Sequence, residues 1–267
     1  MTLPFEVIEW QIWDGTLTAE QFALFAQMKP VVDDMHHPGD QAIYSWYEHC
    51  QWKWKQREYA WILSNLNLVA PSGHKVLDAG CGYTPLIRYL ASINMDAYGF
   101  DWDAVELESN LTKSSMLTYG NRVHYHKQDI RSMKWPSDFF DYTVSVSVLE
   151  HLWLADGLIK KIVDKLLPIP AKIFHNENIR RTLSEFIRVT RPGGLVVLTM
   201  DCGYGGGVRI KVIENLFGIR VSDFPDIETI RSYWRTDEYY SKQNKIYPGT
   251  PRDYTAFMIV LRKTDVC

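Results

Sequence analysis

The sequence predicts an α/β fold, a parallel sheet with helices on both faces. Three observations predict it. An apolar strand runs straight into a glycine turn at Val76-Leu77-Asp78-Ala79-Gly80-Cys81-Gly82. Further apolar or β-branched runs follow, separated by segments long enough for helices, as expected of βαβ units. Acidic residues stand at the ends of the first three runs, at Asp78, Asp101 and Asp129. Open α/β sheets bind their ligands outside the carboxyl ends of the strands, so these acids fall where a pocket belongs.

The first strand, with Val76 and Leu77, is apolar without alternation, as a strand covered on both faces should be. Gly80 and Gly82 permit a tight turn and close approach of backbone to a ligand. Thr84 is suited to cap the next helix and Pro85 to its first position, with the helix running through Leu86–Ala91. A dinucleotide fingerprint would need glycine where Pro85 stands, and no Gly-Lys-Ser/Thr follows to make a P-loop. The second strand, Asp96–Phe100, ends in Asp101, about 20 residues after the turn, where a carboxylate can accept from ribose hydroxyls. Trp102 beside it offers a flat face for adenine stacking. The third run, Val123–Gln128, leads to Asp129 and Ile130, which can read an adenine amino group and a ring nitrogen. The fourth, from Phe140, is β-branched and ends in the polar stretch Ser145–His151. A fifth strand follows Arg191-Pro192-Gly193-Gly194, and a last one covers Tyr254–Leu261.

The motifs "VLDAGCG", "GFDWD", "QDI", "FDYTVSVSVLEHL" and "RPGGLVVLT" resemble, in order and spacing, those of class I S-adenosylmethionine-dependent methyltransferases. They are most similar to the small-molecule group that includes the quinone-biosynthesis enzymes. The resemblance covers about Glu58 to Asp201 and again Asp253 to Lys263. It implies a Rossmann-like doubly wound sheet of seven strands, mostly parallel with one antiparallel strand. It also implies S-adenosyl-L-methionine as cofactor. Asp78 with the backbone of Ala79, Gly80, Cys81 and Gly82 would hold the methionine end, and Asp101 the ribose. Asp129 and Ile130 would read adenine, and Ser145 would line the methionine side through its backbone. Thr84 departs from the glycine the family often has there, which a cofactor without pyrophosphate tolerates.

At 267 residues the chain suits one large, elaborated domain. A net charge of −3 gives no electrostatic reason to expect nucleic acid, and no basic domain is present. No signal peptide or membrane span is readable, and Cys50, Cys81, Cys202 and Cys267 show no metal spacing, so a cytoplasmic protein with reduced thiols is expected. Residues 1–56 are expected to form an N-terminal helical cap over the cofactor mouth, rich in tryptophan. Its helices would cover Thr18–Lys29, ended by Pro30, and Ser45–Asn65. Residues 57–267 would be the catalytic domain, with an insertion near 153–181 that can serve as a substrate lid or a dimer contact. A glycine loop, Gly203–Gly207, and a helix over Val208–Leu216 follow the fifth strand. The basic and aromatic run Gln51–Arg57 is offset by Glu48 and Glu58 and reads as a solvated helix face.

Methyl transfer mainly demands that nucleophile and methyl carbon be held in line. A base is needed where the acceptor must lose a proton, and His151, just past the fourth strand, is the best candidate. His124 and His126 alternate along a strand and read as structural, with no third ligand for a metal. The leading expectation is methyl transfer to an oxygen or nitrogen of a small-molecule acceptor, with a homodimer compatible. The competing expectations are methylation of a protein or peptide side chain, and a non-catalytic cofactor-binding subunit that supports a partner.

Overall fold

A computed structural model describes residues 4–12, 18–34, 52–66, 73–82, 85–102, 116–152, 171–202, 210–220 and 255–265. Seven strands form one sheet: β1 (Phe5–Ile12), β2 (Lys75–Ala79), β3 (Asp96–Asp101), β4 (Val123–Lys127), β5 (Phe140–Val146), β6 (Thr190–Cys202) and β7 (Thr255–Lys263). Their spatial order is β1-β7-β6-β5-β2-β3-β4. Strand β7 runs antiparallel to both neighbours, and the pairs from β6 to β4 are parallel. The expected sheet of seven strands with one antiparallel member is therefore present. From β2 the chain builds outward through β3 and β4, then returns to place β5 and β6 on the other side of β2. The carboxyl ends of β2 and β5 flank the point of reversal, where ligands of open sheets bind.

The helices are α1 (Ala19–Ala26), α2 (Lys29–Asp34), α3 (Trp52–Asn65), α4 (Leu86–Ser92), α5 (Ala171–Val189) and α6 (Ile210–Phe217). Helix α5 presents Ile179, Leu183, Phe186 and Ile187 at helical spacing, and these pack with Phe217 of α6 on one sheet face. Helices α1, α3 and α4 share a core with the other face. Five consecutive residues of α3, Tyr59 to Leu63, are buried. A helix buried all round needs cover on two sides, and α3 has it: β5, β6 and β7 beneath and α1 above.

The N-terminal segment departs from the expected cap in three respects. Residues Phe5–Ile12 are a strand of the sheet, and α3 is a layer of the domain. Thr18 does cap α1, in a reciprocal capping box with Gln21, but the helix stops at Ala26. Pro30 lies in the first turn of α2, where its missing N–H costs nothing, and does not end the preceding helix. Pro85 is the N-cap of α4, which begins at Leu86, so it does not take the first helical position expected for it. Residues 171–181 of the expected insertion belong to α5. Residues 153–170, Thr84, the loop Gly203–Gly207, residues 35–51 and Cys50 and Cys267 lie outside the described residues. The Pro192-Gly193-Gly194 turn is present as an irregularity within β6: Phe140 pairs with Thr190, but Tyr142 already pairs with Leu195. Among the described residues, no helix is long and apolar enough to cross a membrane.

Two side-chain groups fasten neighbouring strands of the sheet. Lys263, 8% exposed, donates to Asp138 Oδ1 (2.5 Å) and to the Thr190 carbonyl (2.8 Å), tying β7 to the start of β6. On β3 and β4, Tyr98 stacks on His124 at 4.3 Å between centroids, and Trp135 meets His126 edge-on at 5.4 Å. These histidines are packing groups, as expected. Burial, and then the neighbouring His124, hold His126 below its ordinary value of 6.5. The folded state therefore favours the neutral ring. The unfolded chain takes up the proton first as pH falls, so His126 contributes fully above about 6.5 and loses its contribution as pH drops through the folded value. The melting temperature should fall more steeply between pH 7 and pH 5 in the native protein than in His126→Gln. Identical pH profiles would remove His126 from the account.

Candidate active site

The site grows from the turn after β2. Gly80 and Gly82 both have positive φ, +78° and +44°, which explains why glycine stands at each. The Gly80 and Cys81 amides donate to the Phe100 carbonyl at 3.0 Å each, so the turn folds back over β3. A side chain at Gly80 would place its Cβ 2.6 Å from Val148 Cγ2; the residue after β5's polar exit thus backs the turn.

Asp101 ends β3 with its carboxylate held on both sides. Oδ2 accepts from the Gly82 N–H (3.2 Å) and Oδ1 from the Trp102 N–H (2.7 Å). The same carboxylate therefore ties the glycine turn to the exit of β3. Trp102 is 66% exposed, a large aromatic face left in solvent beside it. Asp78 at the end of β2 is buried, as are Ala79 and Cys81. Cys81 is fully buried within the turn. Ser145 is buried too, and its hydroxyl donates to the Ala79 carbonyl (3.0 Å), linking β5 to β2 under the turn.

Asp129 follows β4. Its carboxylate accepts from the Arg131 N–H (2.8 Å) and pairs with the Arg131 guanidinium (2.9 Å). Hydrogen bonding from that guanidinium, foremost, holds Asp129 below the usual carboxylate range. It stays ionised and can only accept. Ile130 is partly buried against the core. His151 closes a short 3₁₀ turn, Leu149–His151, and is exposed.

The structure thus brings Asp78, Ala79, Gly80, Cys81, Gly82, Asp101, Trp102 and Ser145 to the carboxyl edge of β2, β3 and β5. It sets Asp129 and Ile130 just past β4. Four residues at this edge escaped the sequence reading: Glu58, Gly99, Arg131 and Val148. Gly99 carried a legible signal, since a glycine inside an apolar strand marks close approach. A Cβ there would meet Ile87 of α4 and stand 2.9 Å from Cys81 Sγ. It supplies the close helix–strand packing that a dinucleotide fingerprint draws from its third glycine. Glu58 is a correction. Far from a solvated face, it is 2% exposed, and Oε2 accepts from Thr199 (2.7 Å) and Ser147 (2.8 Å).

The arrangement suits a ligand rich in donors. S-adenosylmethionine presents an ammonium, ribose hydroxyls and an adenine amino group, and carboxylates stand at the ends of three adjacent strands to accept from them. The crevice also lacks the third glycine and the lysine that pyrophosphate binders use.

Residues 76–169 match the family model for the methyltransferase domain. A 97-residue stretch is 28% identical to the sterol 24-C-methyltransferase of Yarrowia lipolytica, covering 36% of this chain and 26% of that protein. The chain thus spans about a quarter of the length of that curated relative. Among solved structures, the [4+2]-cyclase SpnF superposes with a TM-score of 0.48 at 18% identity, over 79% of this chain and 84% of that one. Phosphoethanolamine N-methyltransferase 2 of Haemonchus contortus superposes with a TM-score of 0.44 at 15% identity, over 76% and 52%. The chain thus carries, over residues 76–169, a match to the methyltransferase-domain family, set in the sheet order described above. S-adenosylmethionine is the cofactor of that family.

Proposed function

We propose that this chain transfers a methyl group from S-adenosylmethionine to an oxygen or nitrogen of a small-molecule acceptor. The observation that carries the reading is the row Asp78, Asp101, Asp129 at or just past the ends of three neighbouring strands, beside a turn with two positive-φ glycines. When bound, the cofactor supplies an electrophilic methyl group on a good leaving group.

The protein's part is to bind and align. Asp78 takes the ammonium of the methionine end, and the Ala79–Gly82 backbone lies along it. Asp101, held by the Gly82 and Trp102 amides, is prearranged to accept from the ribose hydroxyls. Trp102 stacks on adenine, Asp129 accepts from its amino group, and the Ile130 N–H meets a ring nitrogen. Ser145, locked to Ala79, lines the methionine side through its backbone. His151, exposed on the turn after β5, takes the proton of a hydroxyl or ammonium acceptor.

Calorimetric titration with S-adenosylmethionine and S-adenosylhomocysteine, with NAD as control, tests the reading. Micromolar binding of the two sulfur compounds and none of NAD is expected. A screen of hydroxyl and amine acceptors then follows, with a sterol included because of the sterol 24-C-methyltransferase relative. Absence of binding by both sulfur compounds sinks the proposal.

A further inference from the structure

Ser147 is the first residue beyond β5 and has a φ of +50°, the left-handed region that residues other than glycine seldom occupy. Such backbone persists only where the surroundings over-determine it, and it gathers at functional sites. Here the surroundings are identifiable. The Ser147 N–H donates to the Thr199 carbonyl (3.0 Å) at the end of β6. Its hydroxyl donates to Glu58 Oε2 (2.8 Å), and Thr199 Oγ1 donates to the same oxygen (2.7 Å). Glu58 and Thr199 are buried, whereas Ser147 and Val148 are only partly so. Val148, the next residue, fills the space beside Gly80 that a Cβ would need.

From this we infer that Glu58 is a positioning residue for the cofactor site. Its carboxylate, brought in from α3, clamps Ser147 in the left-handed conformation. That conformation turns the chain so that Val148 backs the Gly80 turn. The inference rests on the methyltransferase reading and adds a residue that touches neither cofactor nor acceptor. Loss of the clamp lets Ser147 relax, withdraws Val148, and leaves the glycine turn without support. Glycine at 147 would adopt the same φ without a clamp. Dependence on Glu58 should therefore vanish when residue 147 is glycine, which a merely structural role for a buried carboxylate would not produce.

The test is S-adenosylhomocysteine affinity by calorimetry, with thermal unfolding recorded for each variant. Glu58→Leu should weaken binding by about tenfold, the cost of left-handed backbone in an unclamped residue. Adding Ser147→Gly to Glu58→Leu should recover most of that loss. Equal affinity in the native protein and Glu58→Leu overturns the inference, as does a loss that glycine fails to recover. If Glu58→Leu does not fold, Ser147→Ala and Ser147→Gly put the same question, since both lack the hydroxyl and only alanine keeps the backbone cost. Ser147→Ala should bind several-fold more weakly than Ser147→Gly, and equality overturns the inference. No binding by the native protein overturns the cofactor reading, and this inference with it. Binding by the native protein that is insensitive to the variants overturns the inference alone.

Discussion

Gly99→Ala should lower unfolding stability by about 1–3 kcal/mol, the usual cost of overpacking a filled core. The added Cβ would meet Ile87 and stand 2.9 Å from Cys81 Sγ and 3.2 Å from Cys81 Cβ. Ile87 is 1% exposed and Cys81 fully buried, so neither has space to withdraw into. Cys81 cannot move without moving the glycine turn, because its amide is bonded to the Phe100 carbonyl beside Gly99. Cofactor affinity should therefore fall together with stability. Trimming the obstructing side chain with Ile87→Val, itself worth about 0.5–1.5 kcal/mol when made alone, should then be less costly in the Gly99→Ala background. Urea unfolding of the four proteins of that double-mutant cycle measures it. Strict additivity would show that Ile87 is not the group in the way.

Asp101→Ala should weaken S-adenosylhomocysteine binding by about 10–150-fold, the loss of one charged hydrogen-bonding group worth about 1.5–3 kcal/mol. Two effects combine. The ribose loses its acceptor, and the Gly82 and Trp102 amides lose the oxygens that fix the turn and the strand exit. Asp101→Asn keeps one acceptor oxygen, so its loss should be smaller. Asp101 is partly exposed and lies outside the packed core, so the fold should survive, with a cooperative thermal transition in each variant. Unchanged affinity in Asp101→Ala would remove the ribose role and leave Asp101 as a turn-holding residue only.

Much of the fold was legible because parallel strands buried on both faces leave continuous apolar runs, and these surround Leu77, Phe100, Val144 and Val197. The acids at the strand ends were legible for the converse reason: a carboxylate closing an apolar run has no role inside a core. Strand β1 was not read. Phe5–Ile12 alternates Phe, Val and polar residues, but its partner β7 is at the far end of the sequence and no turn signal connects them. Helix α3 was read as a helix but not as a buried layer, because Lys53, Lys55 and Arg57 dominate its first turns, while Tyr59–Leu63 decide its place. Glu58 sits at that boundary. Its role depends on hydroxyls at Ser147 and Thr199 that only the sheet brings near. Local sequence carries no trace of such long-range pairing, and a glutamate next to an arginine reads as surface.

The pairing of Phe5 with Lys263, extended by a Thr264 N–H bonded to the Pro4 carbonyl (3.2 Å), has a consequence for synthesis. Strand β1 precedes the other six strands of the sheet in translation, yet the strand it must join follows them all. At about 5–20 residues per second the wait is roughly 10–50 s. Throughout it β1 lacks its partner, and β6, once made, is an open edge until β7 is inserted between them. The nascent chain can assemble β2 to β6 while translation continues. Of the seven strands, β7 is the last to become available, and only with Thr255–Lys263 can β1 be joined to β6.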